Sequence, residues 1–271
     1  MIRVNSQPSD CIKALDRGLM YGDGVFRTLL VRNGRLLDWP RHYAKLQSDC
    51  SALGIQCPLE AVLAGEAEEI TRAEPDCVLK IVVTRGEGRR GYAISDNVDP
   101  TYILITSVTP SYPDHYYTNG VKVHQCTLRL SHQPRLAGVK HLNRLENVLA
   151  RQEWDDPQIA EGLLMDQAGN VIEGTMSNVF MFLENALWTP DLSQCGVAGV
   201  QRDRIIEAAK SINIPVIIEA IPMARLLQAE ELFLCNSIFG IWPVEEFAGK
   251  SWHPGQITAL LSSQLQNDRE N

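Results

Sequence analysis

Long apolar runs and basic patches are both missing from this 271-residue sequence. No stretch of about 18 apolar residues occurs, and the first residues lack the basic-then-apolar pattern of a signal peptide, so we expect a cytoplasmic protein with no membrane partner. Acidic residues outnumber basic ones by 33 to 25, which gives a formal net charge of −8. Nucleic-acid-binding proteins normally carry a basic surface, and the short cluster of Arg85, Arg89 and Arg90 does not reverse the balance. Nucleic acid is therefore not an expected partner.

Metal-binding spacings are missing as well. The seven cysteines include no Cys-x-x-Cys pair, and the six histidines include no His-x-x-x-His pair. Scattered cysteines of this kind are typical of buried, reduced thiols in a reducing compartment. We therefore expect no metal site.

The sequence does contain enough apolar residues for a folded core, since 45% of it is hydrophobic and 21% is charged. The strand pattern is interrupted at residues 109–118, which we predict to be a linker. It would join an N-terminal α+β lobe, residues 1–108, to a barrel-like C-terminal lobe, residues 119–271, that carries Lys140. Predicted strands outnumber helices without regular alternation, which favours an α+β fold over a doubly wound sheet.

The expected elements follow from residue periodicity and from turn residues. Strands are predicted at 2–4, 25–31, 78–84, 101–106, 121–124, 161–165, 178–183, 215–220 and 231–234, and helices at 39–53, 59–70, 145–154, 201–210 and 256–266. Asp38 is the expected cap of the first helix, and Asn33-Gly34 reads as a hairpin turn. The segment Gly86 to Gly91 matches the GxGxxG dinucleotide motif, but a strand follows it where that motif requires a helix. We therefore predict an antiparallel strand pair there.

Lys140 is the first candidate for chemistry. It follows a segment with glycine and proline, Pro134 to Gly138, and precedes the periodic apolar residues Leu145, Val148 and Leu149, which predict a helix. The lysine therefore belongs to a loop or to the end of an element. Partial burial or a nearby cation would lower the pKa of its amine there, as a Schiff-base former or proton carrier requires. A solvated surface lysine is the alternative.

Four further segments are candidates for binding. The three glycines between Asp16 and Thr28 indicate a sharp bend that approaches something closely, or a plain structural turn. Glu173 lies among apolar residues and would need a partner such as a protonated ring nitrogen if buried; otherwise it is an exposed hairpin residue. The glycines of 196–199 lead into a helix whose N-terminus can bind phosphate, although many helices begin this way with nothing bound. Asn236-Ser237 is a turn or a ligand-facing pair.

Five segments together resemble a known family. In order along the chain, Asp16–Thr28, Lys140–Asn147, Glu173–Phe180, Gly199–Arg202 and Phe233–Val244 are similar to the fold type IV pyridoxal-phosphate enzymes, which include the branched-chain and D-amino-acid aminotransferases. Within that family, the run from Lys140 to Glu146 is most similar to the 4-amino-4-deoxychorismate lyases. The resemblance implies a two-domain fold, a pyridoxal 5'-phosphate cofactor and a homodimer.

The resemblance also implies roles for the cofactor-binding residues. Lys140 would form the internal aldimine, and Glu173 would keep the pyridine nitrogen protonated. The remaining cofactor contacts would come from Asn178, the Ser237 hydroxyl and the backbone N–H groups of Val200 and Gln201. The family usually supplies an arginine to the phosphate from a His-x-x-Arg-Leu pattern. This chain has Lys45 at that position, so either Lys45 provides the charge without a bidentate fork or Arg41 substitutes.

The implied reaction converts 4-amino-4-deoxychorismate to 4-aminobenzoate and pyruvate, which is a step in folate precursor synthesis. The substrate amine would displace Lys140, and the freed lysine would remove the proton from the carbon that bears nitrogen. Thr28 is the second expected catalytic residue, and Arg27, Arg90 and Arg144 are candidate ligands for the dianionic substrate. Arg27 stands where the aminotransferases commonly have glutamate, which favours the lyase. An aminotransferase on the same fold and a non-catalytic cofactor-binding protein are the alternatives.

Overall fold

The computed structural model of the protein describes residues 1–94 and 98–270. The chain forms two compact units, one of Met1–Pro110 with Val139–Asn143 and one of Ser111–Gly138 with Arg144–Asn271. Lys140 thus packs with the first unit, although its position in the sequence placed it in the C-terminal lobe. The lobe boundaries and the linker at 109–118 stay a prediction; a short helix, His115–Thr118, lies inside that segment.

The first unit is a six-stranded antiparallel sheet with helices on one face. Its strands are β1 (Ile2–Val4), β2 (Gln7–Pro8), β3 (Gly24–Arg32), β4 (Arg35–Leu36), β5 (Cys77–Thr84) and β6 (Thr101–Val108), in the order β2-β1-β6-β5-β3-β4. Its helices are α1 (Arg17–Tyr21), α2 (Trp39–Leu53) and α3 (Glu60–Thr71). The predicted antiparallel pairing across the GxGxxG-like segment is confirmed, because β5 and β6 pair along their whole length.

Local chemistry explains the ends of these elements. Asn33 and Gly34 have φ values of 50° and 74°, and they join β3 to β4 as the predicted two-residue hairpin. Helix α2 ends at Gly54 in the left-handed conformation, as its glycine predicts. The capping role predicted for Asp38 is wrong, since this residue occupies the N-cap position with φ 56° and its side chain makes no capping hydrogen bond.

One face of this sheet forms the core with α2 and α3. Alternate residues of β3 and β5, namely Val25, Leu29, Leu79, Ile81 and Val83, pack with Leu46, Cys50 and Leu63 of the helices. Side chains alternate between the faces of a strand, so the intervening residues of β3 and β5 point away from the helices. Those intervening residues include Phe26, Thr28 and Lys80.

The second unit is a ten-stranded, nearly closed, barrel-like sheet. Its strands are β7 (Val121–Leu130), β8 (Ile159–Asp166), β9 (Asn170–Gly174), β10 (Asn178–Leu183), β11 (Ala186–Pro190), β12 (Val216–Glu219), β13 (Ile221–Pro222), β14 (Glu231–Asn236), β15 (Gly240–Phe247) and β16 (Lys250–Ser251). Nine of them follow the order β12-β11-β10-β14-β15-β7-β8-β9-β13, and β16 pairs with β15. The helices are α4 (His115–Thr118), α5 (Leu145–Arg151), α6 (Val200–Ser211), α7 (Met223–Leu226) and α8 (Gln256–Glu270).

Stacked aromatic side chains form part of the apolar core of this unit. Phe239 and Trp242 stack with ring centroids 3.7 Å apart inside the largest apolar cluster. Phe180 and Phe233 form a second stack that packs against α6 and α8. The predicted α+β class with a barrel-like part is therefore confirmed, and the burial of neighbouring strands holds the segments around Glu173 and Ser237 in fixed positions.

Candidate active site

The segment that carries Lys140 pairs with the edge of β3. The Phe26 N–H donates to the Lys140 carbonyl at 2.9 Å, the Leu142 N–H donates to the Gly24 carbonyl at 2.9 Å, and Val25 stands opposite His141. The lysine is thus outside any helix or named strand, as predicted. Residues directly opposite each other in an antiparallel pair share a face, so Lys140 shares a face with Phe26.

Two glycines of the Gly-Asp-Gly motif permit this close pairing. Gly22 has φ +66°, and a Cβ there would lie 2.1 Å from Asn143 Oδ1. A Cβ on Gly24 would lie 2.8 Å from Leu142 Cδ1. The predicted close backbone approach is confirmed, and its target is the lysine segment. The stretch is not a simple loop, however, because α1 begins there with the Asp16 side chain as its N-cap.

Asp23, between the two glycines, is held by two arginines. Its carboxylate accepts hydrogen bonds from Arg17 Nε and from Arg85 Nε, each at 2.8 Å. Burial raises the pKa of Asp23, but the hydrogen bonds from Arg85 and Arg17 outweigh that effect and lower it below its ordinary value. The motif is therefore fixed by ion pairs as well as by backbone geometry.

Two lysine amines lie near the ring of Phe26 on the face of the first unit that is turned away from α2 and α3. Lys140 is half-buried, with its Nζ 4.7 Å from the centroid of Phe26. Thr28 lies two residues further along β3 on the same face. Directly opposite Thr28 stands Lys80, whose Nζ is 4.9 Å from the same centroid. Sequence reasoning missed Lys80, although a single charged residue inside the apolar run of β5 was a usable signal.

The helix-covered face carries Arg27. This arginine is 2% exposed and forms an ion pair with the buried Asp49 of α2, whose carboxylate also accepts the Lys140 N–H at 3.4 Å. Burial raises the pKa of Asp49, and the nearby Arg27 offsets that only in part. The pairing favours a structural role for Arg27, whose part in substrate binding stays a prediction.

The two candidate phosphate cations differ in exposure. Lys45 is half-buried on α2, one helical turn before Asp49, and its charge acts on that carboxylate. Arg41 is exposed. The choice between Lys45 and Arg41 as the phosphate cation stays a prediction.

In the second unit, Glu173 is buried at the end of β9. It is 3% exposed, and its Oε2 accepts the Val197 N–H at 2.7 Å, so the exposed-hairpin alternative does not apply. Asn178 holds the same loop from the other side. Its Nδ2 donates to the Val197 carbonyl at 2.8 Å, and its Oδ1 accepts the Gly199 N–H at 3.2 Å. A carboxylate and an amide therefore fix residues 196–199 just before α6 begins.

Helix α6 begins at Val200 and Gln201, both buried, and its N-cap Gly199 offers no side-chain capping hydrogen bond. A Cβ on Gly199 would lie 2.4 Å from Asn178 Oδ1, so glycine is required for this approach. The first-turn N–H groups and the helix dipole therefore form an N-terminus without a side-chain acceptor from its cap.

The turn between β14 and β15 carries Ser237. Asn236 fixes this turn, since its Oδ1 accepts the N–H groups of Ile238 and Phe239 at 2.9 Å and its Nδ2 donates to the Met176 carbonyl at 3.1 Å. The Ser237 hydroxyl is half-buried and makes no hydrogen bond with any residue that the structure describes. The turn is therefore joined to the loop between Glu173 and Asn178.

A second buried carboxylate, missed by the sequence reasoning, organises that loop. Glu161 is 1% exposed on β8, and its two oxygens accept five hydrogen bonds. The donors are the N–H groups of Gly162, Thr175 and Met176 and the hydroxyls of Thr175 and Ser177. Burial raises the pKa of this carboxyl, and the hydrogen bonds offset that in part. Its only sequence signal was an acidic residue at the start of an apolar strand.

Two predicted substrate ligands lie at the surface or at an element end. Arg90 is exposed, and Arg144 is half-buried at the N-cap position of α5. Of the predicted residues, the first unit gathers Lys140, Thr28 and Lys45, and the second unit gathers Glu173, Asn178, Val200, Gln201 and Ser237.

The donor set on each unit fits pyridoxal phosphate. The second unit holds a buried carboxylate, suited to a protonated ring nitrogen, on the same pinned loop that opens a glycine-led helix N-terminus, suited to a phosphate. The first unit holds a half-buried lysine. Among the described residues, no group of three or more His, Cys, Asp or Glu side chains is arranged to hold a metal ion. In that same part of the chain, every helix is too short or too polar to cross a membrane.

Comparison with known proteins agrees with this donor set. Residues 24–247 match the family described as amino-transferase class IV. The chain is 35% identical to aminodeoxychorismate lyase of Vibrio harveyi, over 98% of this chain and 99% of that one. It is 27% identical to D-alanine aminotransferase of Bacillus licheniformis, over 96% and 92% of the two chains. The crystal structure of 4-amino-4-deoxychorismate lyase from Pseudomonas aeruginosa superposes with a TM-score of 0.96 at 45% identity, covering 100% of both chains.

Proposed function

The chain belongs to the amino-transferase class IV family, and from that premise we propose that it is a pyridoxal-phosphate-dependent lyase. It converts 4-amino-4-deoxychorismate to 4-aminobenzoate and pyruvate in the cytoplasm, as a step of folate precursor synthesis. The observation that carries this proposal is the full-length likeness to two lyases, each more similar to this chain than the D-alanine aminotransferase is.

The cofactor supplies a ring that accepts the electron pair released when the substrate C–H bond breaks. Glu173 would hold the proton on the ring nitrogen, because a buried carboxylate stabilises an adjacent cation. The N–H groups of Val200 and Gln201 and the Ser237 hydroxyl would bind the phosphate, and Lys45 would supply a positive charge to it. Asn178 keeps the loop before α6 in the position that this binding requires.

Lys140 is the residue that moves the proton. Its amine would hold the bound cofactor at rest and would take the proton from the substrate carbon that bears nitrogen. One proton thus leaves the ring carbon, and one is returned to the departing enolpyruvyl group, so that pyruvate and 4-aminobenzoate together account for the substrate. Phe26 limits where the lysine amine can reach, and the Thr28 hydroxyl on the same face is available to orient a polar group of the substrate.

The direct test is chromatographic detection of 4-aminobenzoate after purified, cofactor-loaded protein is mixed with 4-amino-4-deoxychorismate. We expect product from the wild type, none from Lys140→Ala, and loss of the yellow absorbance of lysine-bound cofactor in that variant. Lys210→Ala, at the exposed far end of α6, is the control for loss of a lysine. Yellow wild-type protein that forms no product would contradict the lyase and would turn the test to amino transfer from D-alanine to a 2-oxo acid.

We further propose that the protein is a homodimer. Helix α5 exposes three apolar side chains, Leu145 at 74%, Val148 at 50% and Leu149 at 53%. Apolar residues that recur on one helix face are normally covered in the working state of a protein. Sedimentation should give a dimer for the wild type and a monomer for Leu145→Glu/Leu149→Glu. A monomeric wild type would rule the dimer out.

A further inference from the structure

Lys80 is a charged residue to which no role has yet been assigned. It lies on the face of the first unit that is turned away from α2 and α3 and carries Phe26, Thr28 and Lys140; this face is called the Phe26 face. Lys80 is half-buried in the middle of β5, flanked by the buried Leu79 and Ile81, which belong to the core on the other face. A lysine in the middle of a central strand loses hydration and contributes little to a core. Its position therefore calls for a partner on the Phe26 face.

The described residues offer Lys80 no carboxylate. Its ammonium group contacts the ring of Phe26, and it makes no ion pair with any residue that the structure describes. The same ring is contacted by the Lys140 amine from the neighbouring edge of the sheet. The two distances to the centroid, 4.7 Å and 4.9 Å, sum to 9.6 Å, which is the largest possible separation of the two nitrogens.

A cation at this distance from the reacting lysine, about one Debye length at 0.1 M salt, attracts an anion to this part of the sheet. The proposed substrate carries two carboxylates and has no acidic residue to repel it from this face among the side chains named above. Arg27, the sequence-based candidate, has its guanidinium on the opposite face in a buried ion pair with Asp49. Of the cationic side chains named above on this unit, Lys80 is therefore the one that shares the Phe26 ring with the reacting lysine.

We propose that Lys80 binds a carboxylate of the substrate and so positions the reacting carbon at Lys140. The inference rests on the proposed lyase function and adds to it a specific anion ligand. The register of the sheet supports it, since Lys80 stands opposite Thr28 and diagonal to Phe26, which itself stands opposite Lys140. Lys80 is thus a substrate-binding residue.

The experiment uses cofactor-loaded wild type, Lys80→Gln, Lys80→Arg and the exposed-lysine control Lys210→Gln. The probe is chorismate, which has both carboxylates of the substrate but a hydroxyl in place of its amine, so it cannot displace Lys140. Calorimetry should show chorismate binding at least tenfold weaker in Lys80→Gln, within about threefold of wild type in Lys80→Arg, and unchanged in Lys210→Gln. Turnover by Lys80→Gln should show a raised KM with a smaller change in kcat.

A second readout separates charge from folding. The pH at which the lysine-bound cofactor loses its yellow colour should rise in Lys80→Gln, because a cation that disfavours the protonated form is gone, and should return toward the wild-type value in Lys80→Arg. Wild type that forms 4-aminobenzoate, together with Lys80→Gln that binds chorismate normally, overturns the role of Lys80 alone. Cofactor-loaded wild type that neither forms product nor binds chorismate overturns the lyase function and the role of Lys80 together.

Discussion

Glu161 provides the sharpest test of how the second unit holds Glu173. Replacing it by glutamine keeps the shape of the side chain but turns one acceptor oxygen into a donor NH2 group. All five groups around this carboxylate donate hydrogen bonds to it, so the NH2 group of the glutamine must meet some of these donors. Glu161→Gln therefore asks whether the loop between β9 and β10 depends on the buried charge.

The expected cost follows from which donors can adapt. The amide does least harm with its NH2 group at the Oε2 position, where the Met176 N–H and the Ser177 hydroxyl donate. The hydroxyl can rotate and become an acceptor, whereas the backbone N–H cannot and loses its partner. One unpaired N–H and weaker bonds at the other oxygen cost about 2 kcal/mol. Glu161→Ala removes all five acceptor contacts and should cost about 4 kcal/mol or more.

Urea unfolding followed by tryptophan fluorescence measures these changes in unfolding free energy. The signal reports mainly on the second unit, which contains Trp154, Trp188, Trp242 and Trp252. The control is Glu184→Gln, an exposed glutamate for which we expect a change below about 0.5 kcal/mol. Glu161→Gln that is as stable as wild type would refute the reasoning. So would Glu161→Gln that is as damaged as Glu161→Ala.

Three further predictions concern the first unit. Arg27→Met and Asp49→Leu should each lower the free energy of unfolding by about 3 kcal/mol, because each leaves a buried charge without its partner. The double variant should regain most of that loss. Additive losses, or weaker chorismate binding by a stable double variant, would contradict a purely structural role for the pair. The pKa of Asp23 is lower in the folded protein than in the unfolded chain, so the ionised carboxylate stabilises the fold above about pH 4, and this contribution is lost as the pH falls further. The free energy of unfolding should therefore decline less steeply between about pH 5 and pH 3 in Asp23→Asn than in the wild type. Gly22→Ala should lower the melting temperature, because its Cβ would clash with Asn143. Gly65→Ala, on α3 where a Cβ meets nothing within 4 Å, should leave the melting temperature unchanged or raise it. Equal effects of the two substitutions would contradict this steric explanation.

Local chemistry made much of the fold predictable. The Asn33-Gly34 turn, the Gly54 stop of α2 and the strand after Gly91 all follow from short-range backbone preferences, and the structure has them where expected. Such features need no knowledge of distant residues. Asp38 shows the limit, because its left-handed conformation puts its side chain outside capping geometry.

The site depends on contacts that no local pattern contains. Lys80 and Glu161 each occur once inside an apolar strand, and a single charge in such a strand fits an exposed edge as well as it fits a buried ligand. Whether such a charge lies at an exposed edge or is buried as a ligand depends on which strands pair with its own strand. The assignment of Lys140 to the first unit likewise depends on a pairing with β3, more than a hundred residues earlier in the chain.

That pairing decides what Lys140 can do. Because strand side chains alternate, a slip of one residue would place His141 opposite Phe26 and turn the lysine toward Arg27 and Asp49 on the helix-covered face. The two glycines of the Gly-Asp-Gly motif permit the observed register, since a Cβ would lie 2.1 Å from Asn143 Oδ1 at Gly22 and 2.8 Å from Leu142 Cδ1 at Gly24. The glycine motif and the lysine motif therefore act as one structural unit: the first admits the lysine segment in this register, and the register points the reactive amine at the Phe26 face.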